Sequence, residues 1–182
     1  MDNYNKDSIP SLADCLKAAD ETRDMLANRG CYAEIPSLIK GLYRGSGVYL
    51  ISDEHTWKAA GEGLKAILEG AGIPIRGEFR FPAEPRLHAE YFNITAIREK
   101  LSALPNLDET VPVAVGAGTV NDLVKRAASE LNRTYLCVPT ASSVDGYTAY
   151  GAAILYDGYK QTMPCPAPLA LAAEPEVLAK AP

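Results

Sequence analysis

The sequence of 182 residues lacks any long apolar run. No stretch approaches the ~18–20 apolar residues that a membrane span requires. Its opening, Met1-Asp2-Asn3-Tyr4-Asn5-Lys6-Asp7, is polar and no apolar segment follows, so a secretory signal is not expected. Without secretion, the triplets Asn93-Ile94-Thr95 and Asn132-Arg133-Thr134 have no meaning as glycosylation acceptors. Basic clusters are missing too. Lysine and arginine total 18 against 23 acidic residues, a net charge of −5, and they are scattered. Nucleic-acid binders normally show a basic patch, and binders of anionic membranes a polybasic tract. Neither class fits. The four cysteines, Cys15, Cys31, Cys137 and Cys165, form no CxxC pair, and the two histidines, His55 and His88, stand far apart. No zinc site of ordinary ligand spacing can be assembled from them. Such cysteines pack as small hydrophobes, and a reducing cytoplasm is the expected compartment. There is no internal repeat and no low-complexity tract.

What is present is an ordinary globular composition, 47% hydrophobic and 23% charged, enough for one domain with a sizeable core. Two periods alternate along it. Pro10 to about Ala27 reads partly as helix through Leu12, Leu16 and Ala19, and a second amphipathic piece runs through Ile35, Leu38, Ile39 and Leu42 to Gly45-Ser46-Gly47. Val48–Ile51 is strand-like and leads to Ser52 or Asp53, either of which can cap the helix carrying Trp57, Ala60, Leu64, Ile67 and Leu68. Gly70-Ala71-Gly72 ends that helix, and Ile73 to Phe81 reads as extended. Ile94 to Leu104 predicts another helix. Val111–Val115 has the apolar continuity of a central parallel strand, although Pro112 lacks a ladder donor. Val120 to Leu131 carries the strongest helical stripe, and Tyr135–Val138 is again strand-like. Beyond Gly151, Ala152–Tyr156 and Tyr159–Met163 flank the hairpin signal Asp157-Gly158. Leu169–Leu171 reads as one more strand, and Pro175 to Ala179 as a short helix. Repeated βα alternation predicts an α/β fold, a three-layer Rossmann-like parallel sheet with helices on both faces and a hairpin near the C-terminus.

Two loops carry the chemistry. In Val113-Ala114-Val115-Gly116-Ala117-Gly118-Thr119-Val120-Asn121-Asp122 a buried strand enters a Gly-x-Gly turn and a helix begins at once. Glycines there let backbone approach a phosphate, which the helix N-terminus favours. Asn121 stands where the third glycine of a GxGxxG fingerprint belongs, so this motif alone is weak evidence and a tight βα turn without ligand is the commoner reading. After the next strand comes Pro139-Thr140-Ala141-Ser142-Ser143-Val144-Asp145-Gly146-Tyr147. Parallel topology gathers both loops on one side of the sheet. Thr140, Ser142 and Ser143 offer hydroxyls and Asp145 a carboxylate for a sugar or polyol, unless Asp145-Gly146 simply reverses the chain.

Both stretches resemble the sn-glycerol-1-phosphate dehydrogenase family, within the larger group of iron-dependent alcohol dehydrogenases, glycerol dehydrogenase and dehydroquinate synthase. Asp53-Glu54-His55-Thr56-Trp57, Leu87-His88-Ala89-Glu90 and the tail Ala172 to Pro182 are similar as well. The resemblance implies a dehydroquinate synthase-like N-terminal domain that binds NAD or NADP. Gly116, Ala117, Gly118, Thr119 and Val120 would hold the pyrophosphate, and Thr140 and Ser143 the nicotinamide end. Asp53 would meet the adenosine ribose, where a helix cap explains it equally well, and Asp145 the substrate polyol. Ala149 stands where the family often has serine, and Glu174 where it tends to have aspartate. Family members continue into a helical domain whose aspartate and two histidines bind zinc. Residues 1–182 are therefore expected to be the NAD(P)-binding domain alone, without catalytic residues or metal ligands. The implied substrate is dihydroxyacetone phosphate or a related polyol phosphate. A free polyol, as in glycerol dehydrogenase, and a stand-alone nucleotide-binding module remain open. A homo-oligomer is expected, formed through an apolar face at Leu169–Leu171 and the neighbouring hairpin.

Overall fold

The computed structural model describes residues 10–43, 47–144 and 146–182. Its strands are β1 (Asp24–Leu26), β2 (Gly47–Asp53), β3 (Ile75–Phe81), β4 (Thr110–Gly116), β5 (Leu136–Pro139), β6 (Ala152–Tyr156), β7 (Tyr159–Met163) and β8 (Ala170–Ala172). The helices are α1 (Leu12–Ala18), α2 (Ile35–Leu42), α3 (Glu54–Thr56), α4 (Glu62–Gly70), α5 (Tyr91–Ser102), α6 (Gly118–Glu130) and α7 (Pro175–Leu178). A widened π turn, Trp57–Gly61, joins α3 to α4. Six strands form one sheet in the order β1-β8-β5-β4-β2-β3, and every pairing in it is parallel. No helix among the described residues is long and apolar enough to cross a membrane.

The continuous apolar runs of the central strands follow from burial on both faces. Val48, Leu50, Val111, Val113, Val115, Leu136 and Val138 pack with Ile35, Ile39, Leu64 and Leu68 of α2 and α4. Their alternates Tyr49, Ile51, Ala114 and Cys137 pack with Ile94, Ile97, Leu123, Val124 and Ala127 of α5 and α6. Each fully buried Val, Leu or Ile contributes about 1.5–3 kcal/mol, so the two layers dominate stability. Pro112 is accommodated inside β4, opposite Tyr49. The strand's start is fixed by Thr110, whose hydroxyl donates to the Asn106 carbonyl at 2.8 Å.

Two expectations need correction. The first helix is not continuous to Ala27: α1 buries none of its residues, and the backbone at Ala19 is extended (φ −78°, ψ 134°). With none of its residues buried among the described residues, the stripe supports only this short helix. The following residues instead join the sheet edge, where Met25 pairs with Leu171 and the Thr22 hydroxyl donates to the Pro168 carbonyl at 2.8 Å. That addition overturns the second expectation. The Leu169–Leu171 region does not offer an open apolar face, because β8 lies between β1 and β5 and is buried at each position. The hairpin is as expected: β6 and β7 pair antiparallel. Asp157 (φ 49°) and Gly158 (φ 81°) both take the left-handed conformation that this turn requires.

Candidate nucleotide-binding cleft

β3 lies on one side of β2 and β4 on the other, so the connections diverge where β2 and β4 end. In open parallel sheets ligands bind at such a switch point. A cleft of about 790 Å³ opens there. Asp53, Ala117, Thr119, Val120, Thr140 and Ser143 all line it. Gly116 and Gly118 are buried in the turn itself, and Asp145 lies outside the described residues. The remaining wall was not anticipated from the sequence. His55, Thr56 and Ala59 contribute from the first βα connection, Pro82, Ala83, Glu84, Arg86 and Leu87 from the loop after β3, and Val177 and Lys180 from the C-terminal segment.

The first loop is shaped by close packing. A Cβ on Gly116 would lie 2.6 Å from the Val120 Cβ, and one on Gly118 2.7 Å from the Val144 Cγ2. Gly116 thus lets α6 fold tightly over the end of β4, and Gly118 lets the second loop close on the first. The residue at the N-cap position of α6 is Ala117, which has no side-chain oxygen to serve the free N–H groups of the first turn. Asn121 N–H returns to the Ala117 carbonyl at 3.0 Å. The positive end of this 13-residue helix is therefore left for an anion.

The second loop is held against the first. Thr140 N–H donates to the Gly116 carbonyl at 3.2 Å, and the Tyr147 hydroxyl donates to the Ala141 carbonyl at 2.7 Å. Burial pushes the Tyr147 phenol up to about 12, so it remains a donor at neutral pH. Lys125 of α6 is 1% exposed. Its ammonium donates to the carbonyls of Ala149 at 2.8 Å, Gly151 at 3.1 Å and Gly146 at 3.4 Å. Beside it, burial raises the Asp122 carboxyl, against the hydrogen bond it accepts from Ala153 N–H and the field of Lys125. Sequence reasoning passed over Lys125. Its i,i+4 relation to Asn121 puts two polar residues in a row beside the apolar stripe of α6, a pattern that from sequence reads as a solvated face.

At the end of β2 the choice of cap is resolved. The Asp53 carboxylate accepts from Thr56 N–H at 2.8 Å, and the Thr56 hydroxyl accepts from Asp53 N–H at 3.1 Å, a reciprocal capping box. Ser52 is fully buried, and its hydroxyl has no partner among the described residues. Glu54 then braces the opposite wall by accepting from Ala83 N–H at 3.4 Å. The cysteines are free. Burial pushes the Cys31 and Cys165 thiols up to about 11, and Cys137 higher still, so none of these three is a thiolate nucleophile at neutral pH. Among the described residues no group of three or more His, Cys, Asp or Glu side chains is placed to hold a metal ion.

This geometry agrees with the comparison to known proteins. The family model described as iron-containing alcohol dehydrogenase matches residues 26–182. The chain belongs to this family. Among curated members, a glycerol-1-phosphate dehydrogenase [NAD(P)+] of Bacillus licheniformis is 36% identical over 155 residues, covering 82% of this chain. The chain spans only 36% of that relative's length. Among solved family-like folds, glycerol dehydrogenase from Schizosaccharomyces pombe superposes with a TM-score of 0.70 at 19% identity, covering 88% of this chain and 39% of its own. A 2-deoxy-scyllo-inosose synthase complexed with carbaglucose-6-phosphate, NAD+ and Co2+ gives a TM-score of 0.73 at 19% identity, with 87% and 44% covered. At these identities the two structures establish the fold alone, a parallel α/β sheet covered by helices.

Proposed function

We propose that this chain is the dinucleotide-binding part of an NAD(P)-dependent glycerol-1-phosphate dehydrogenase. The observation that carries the reading is the uncapped N-terminus of α6, opening into a cleft that the loop after β5 closes. The first-turn N–H groups of Gly118, Thr119 and Val120 hold the pyrophosphate. Thr140 and Ser143 face the nicotinamide end, the Asp53 carboxylate accepts from the adenosine ribose, and Asp145 accepts from a polyol hydroxyl. When bound, the nicotinamide supplies or accepts hydride. The chain's own groups bind it, orient it and shield it from water. The name of the 36%-identical relative supports a polyol phosphate, with dihydroxyacetone phosphate as its oxidised partner. Zinc belongs to the longer homologues in this reading, since the described residues offer no donor set for it. Cytoplasmic residence and self-association through the hairpin complete the proposal.

The test uses Trp57, the single tryptophan, which is buried next to cleft-lining Thr56 and Ala59. Energy transfer from it to NADH should saturate. Thr119→Glu places a carboxylate over the same first-turn N–H groups, which suits the helix but repels pyrophosphate. The variant should bind NADH at least about tenfold more weakly while its Tm is unchanged or raised. Wild-type affinity in Thr119→Glu would overturn the reading.

A further inference from the structure

We infer that Lys125 is a positioning residue whose ammonium latches the loop after β5 and thereby sets the wall that meets the nicotinamide end of the cofactor. The inference rests on the cofactor reading above and extends it to a residue that touches no ligand. Lys125 is 1% exposed. A buried ammonium is costly unless each N–H finds an acceptor. Here three donors meet the carbonyls of Gly146, Ala149 and Gly151, which saturates the group. An apolar chain of equal length would fill the space without that cost, but it would leave three carbonyls without this donor.

The held segment has little regular structure of its own. Among its described residues a short 3-10 turn, Gly146–Thr148, is the one regular element, and Ala149 and Tyr150 are exposed. From the latch, one link leads to the cleft. Tyr147 sits between the held carbonyls and donates to the Ala141 carbonyl at 2.7 Å. Ala141 lines the cleft together with Thr140 and Ser143. Lys125 itself belongs to α6, whose first turn lines the same cleft through Thr119 and Val120. The anion-binding turn and the second loop are thus referenced to a single helix. Asp122 does not share this task, because its carboxylate accepts from Ala153 N–H at 3.2 Å and serves the hairpin.

Lys125→Met keeps length and removes the donors. Calorimetric titration with NADH and with ADP-ribose, which lacks the nicotinamide ring, separates the two halves of the site. NADH should bind about tenfold more weakly to the variant, and ADP-ribose within about twofold of wild type. Hydrogen exchange should accelerate in peptides covering 140–151 and stay unchanged in β2 and β4. If Lys125→Met does not fold, Tyr147→Phe removes only the relaying hydroxyl and should show the same split at smaller amplitude. Equal weakening of both ligands means a merely structural lysine and overturns the inference, as does unchanged exchange in 140–151. Unchanged NADH affinity despite a loosened loop overturns it too, while leaving the cofactor reading intact. A wild-type chain that binds neither ligand overturns the cofactor reading, and this inference with it.

Discussion

Asp53 serves the fold and the cleft with one carboxylate. One oxygen accepts from Thr56 N–H at 2.8 Å, while the residue also lines the cleft at the end of β2. A carboxylate in that place of a dinucleotide site accepts from the ribose hydroxyls and repels a 2′-phosphate. Asn caps a helix about as well as Asp, which allows the two roles to be separated. Asp53→Asn should leave Tm nearly unchanged and raise NADPH affinity relative to NADH by about tenfold. Asp53→Ala should lose about 1 kcal/mol of stability with the cap. Paired thermal melts and titrations check this, and an unchanged cofactor ratio in Asp53→Asn would remove Asp53 from the ribose site. As lining of the cleft, Asp53 and Thr140 were legible because each stands at the end of an apolar strand, and parallel topology gathers such ends on one side of the sheet. Lys125 was not, since a lysine within an amphipathic helix reads as solvated until a distant loop supplies its acceptors. The reason for the glycines was only half legible. Their missing Cβ atoms make room for Val120 and Val144, side chains whose approach is set by tertiary packing.

Among the elements, α6 organises its neighbours from both ends. Near its C-terminus Glu130 accepts from the Tyr91 hydroxyl of α5 at 2.9 Å, from Arg126 at 2.9 Å and from Arg98 at 2.6 Å. Arg126 also donates to the Pro164 carbonyl after β7 at 2.8 Å. Burial alone would raise the Glu130 carboxyl, but the bonds from Tyr91, Arg126 and Arg98 outweigh it and hold the group below its ordinary value. A carboxyl depressed in the folded state adds stability above its unfolded pKa, and that stability is lost as pH falls through the folded pKa. Glu130→Gln should therefore cost about 1–3 kcal/mol at neutral pH. The gap to wild type should close in acid, below the ordinary glutamate range. The Arg98 pair, 38% exposed on the arginine side, is screened and contributes least. Denaturant melts against pH test this, and a gap that persists in acid would contradict it. Periodicity identified α6 and the hairpin because each has enough residues to show its repeat, and β4 was legible from its unbroken apolar run. β1 has only Asp24, Met25 and Leu26, all half-buried, and becomes a strand through pairing with a segment far away in sequence. The start of α5 at Tyr91 was hidden for a related reason: Glu90 at the N-cap makes no side-chain capping bond.

At the scale of the molecule, βα alternation made the parallel sheet legible but not the strand order. Placing β4 beside β2 rather than beyond β3 depends on crossover packing, and that choice creates the switch point where the cleft opens. The same ordering internalises β8 and leaves the hairpin as the exposed β-structure. β7 pairs with β6 alone among the described residues, and Tyr159 to Thr162 are exposed along it. Tyr159 is 78% and Tyr156 42% exposed, with Leu155 near them at 37%. An open edge beside apolar rings favours pairing with another strand, while a charge such as Lys160 blunts it. The balance predicts weak, concentration-dependent association of two copies through β7. Light scattering should show the mean mass rising toward a dimer as concentration increases. Tyr159→Lys adds a second like charge to the edge and should keep the chain monomeric. Its NADH affinity should match wild type, because the hairpin residues do not line the cleft. A mass independent of concentration would exclude β7 as an interface, and retained dimerisation in Tyr159→Lys would place the contact elsewhere on the surface.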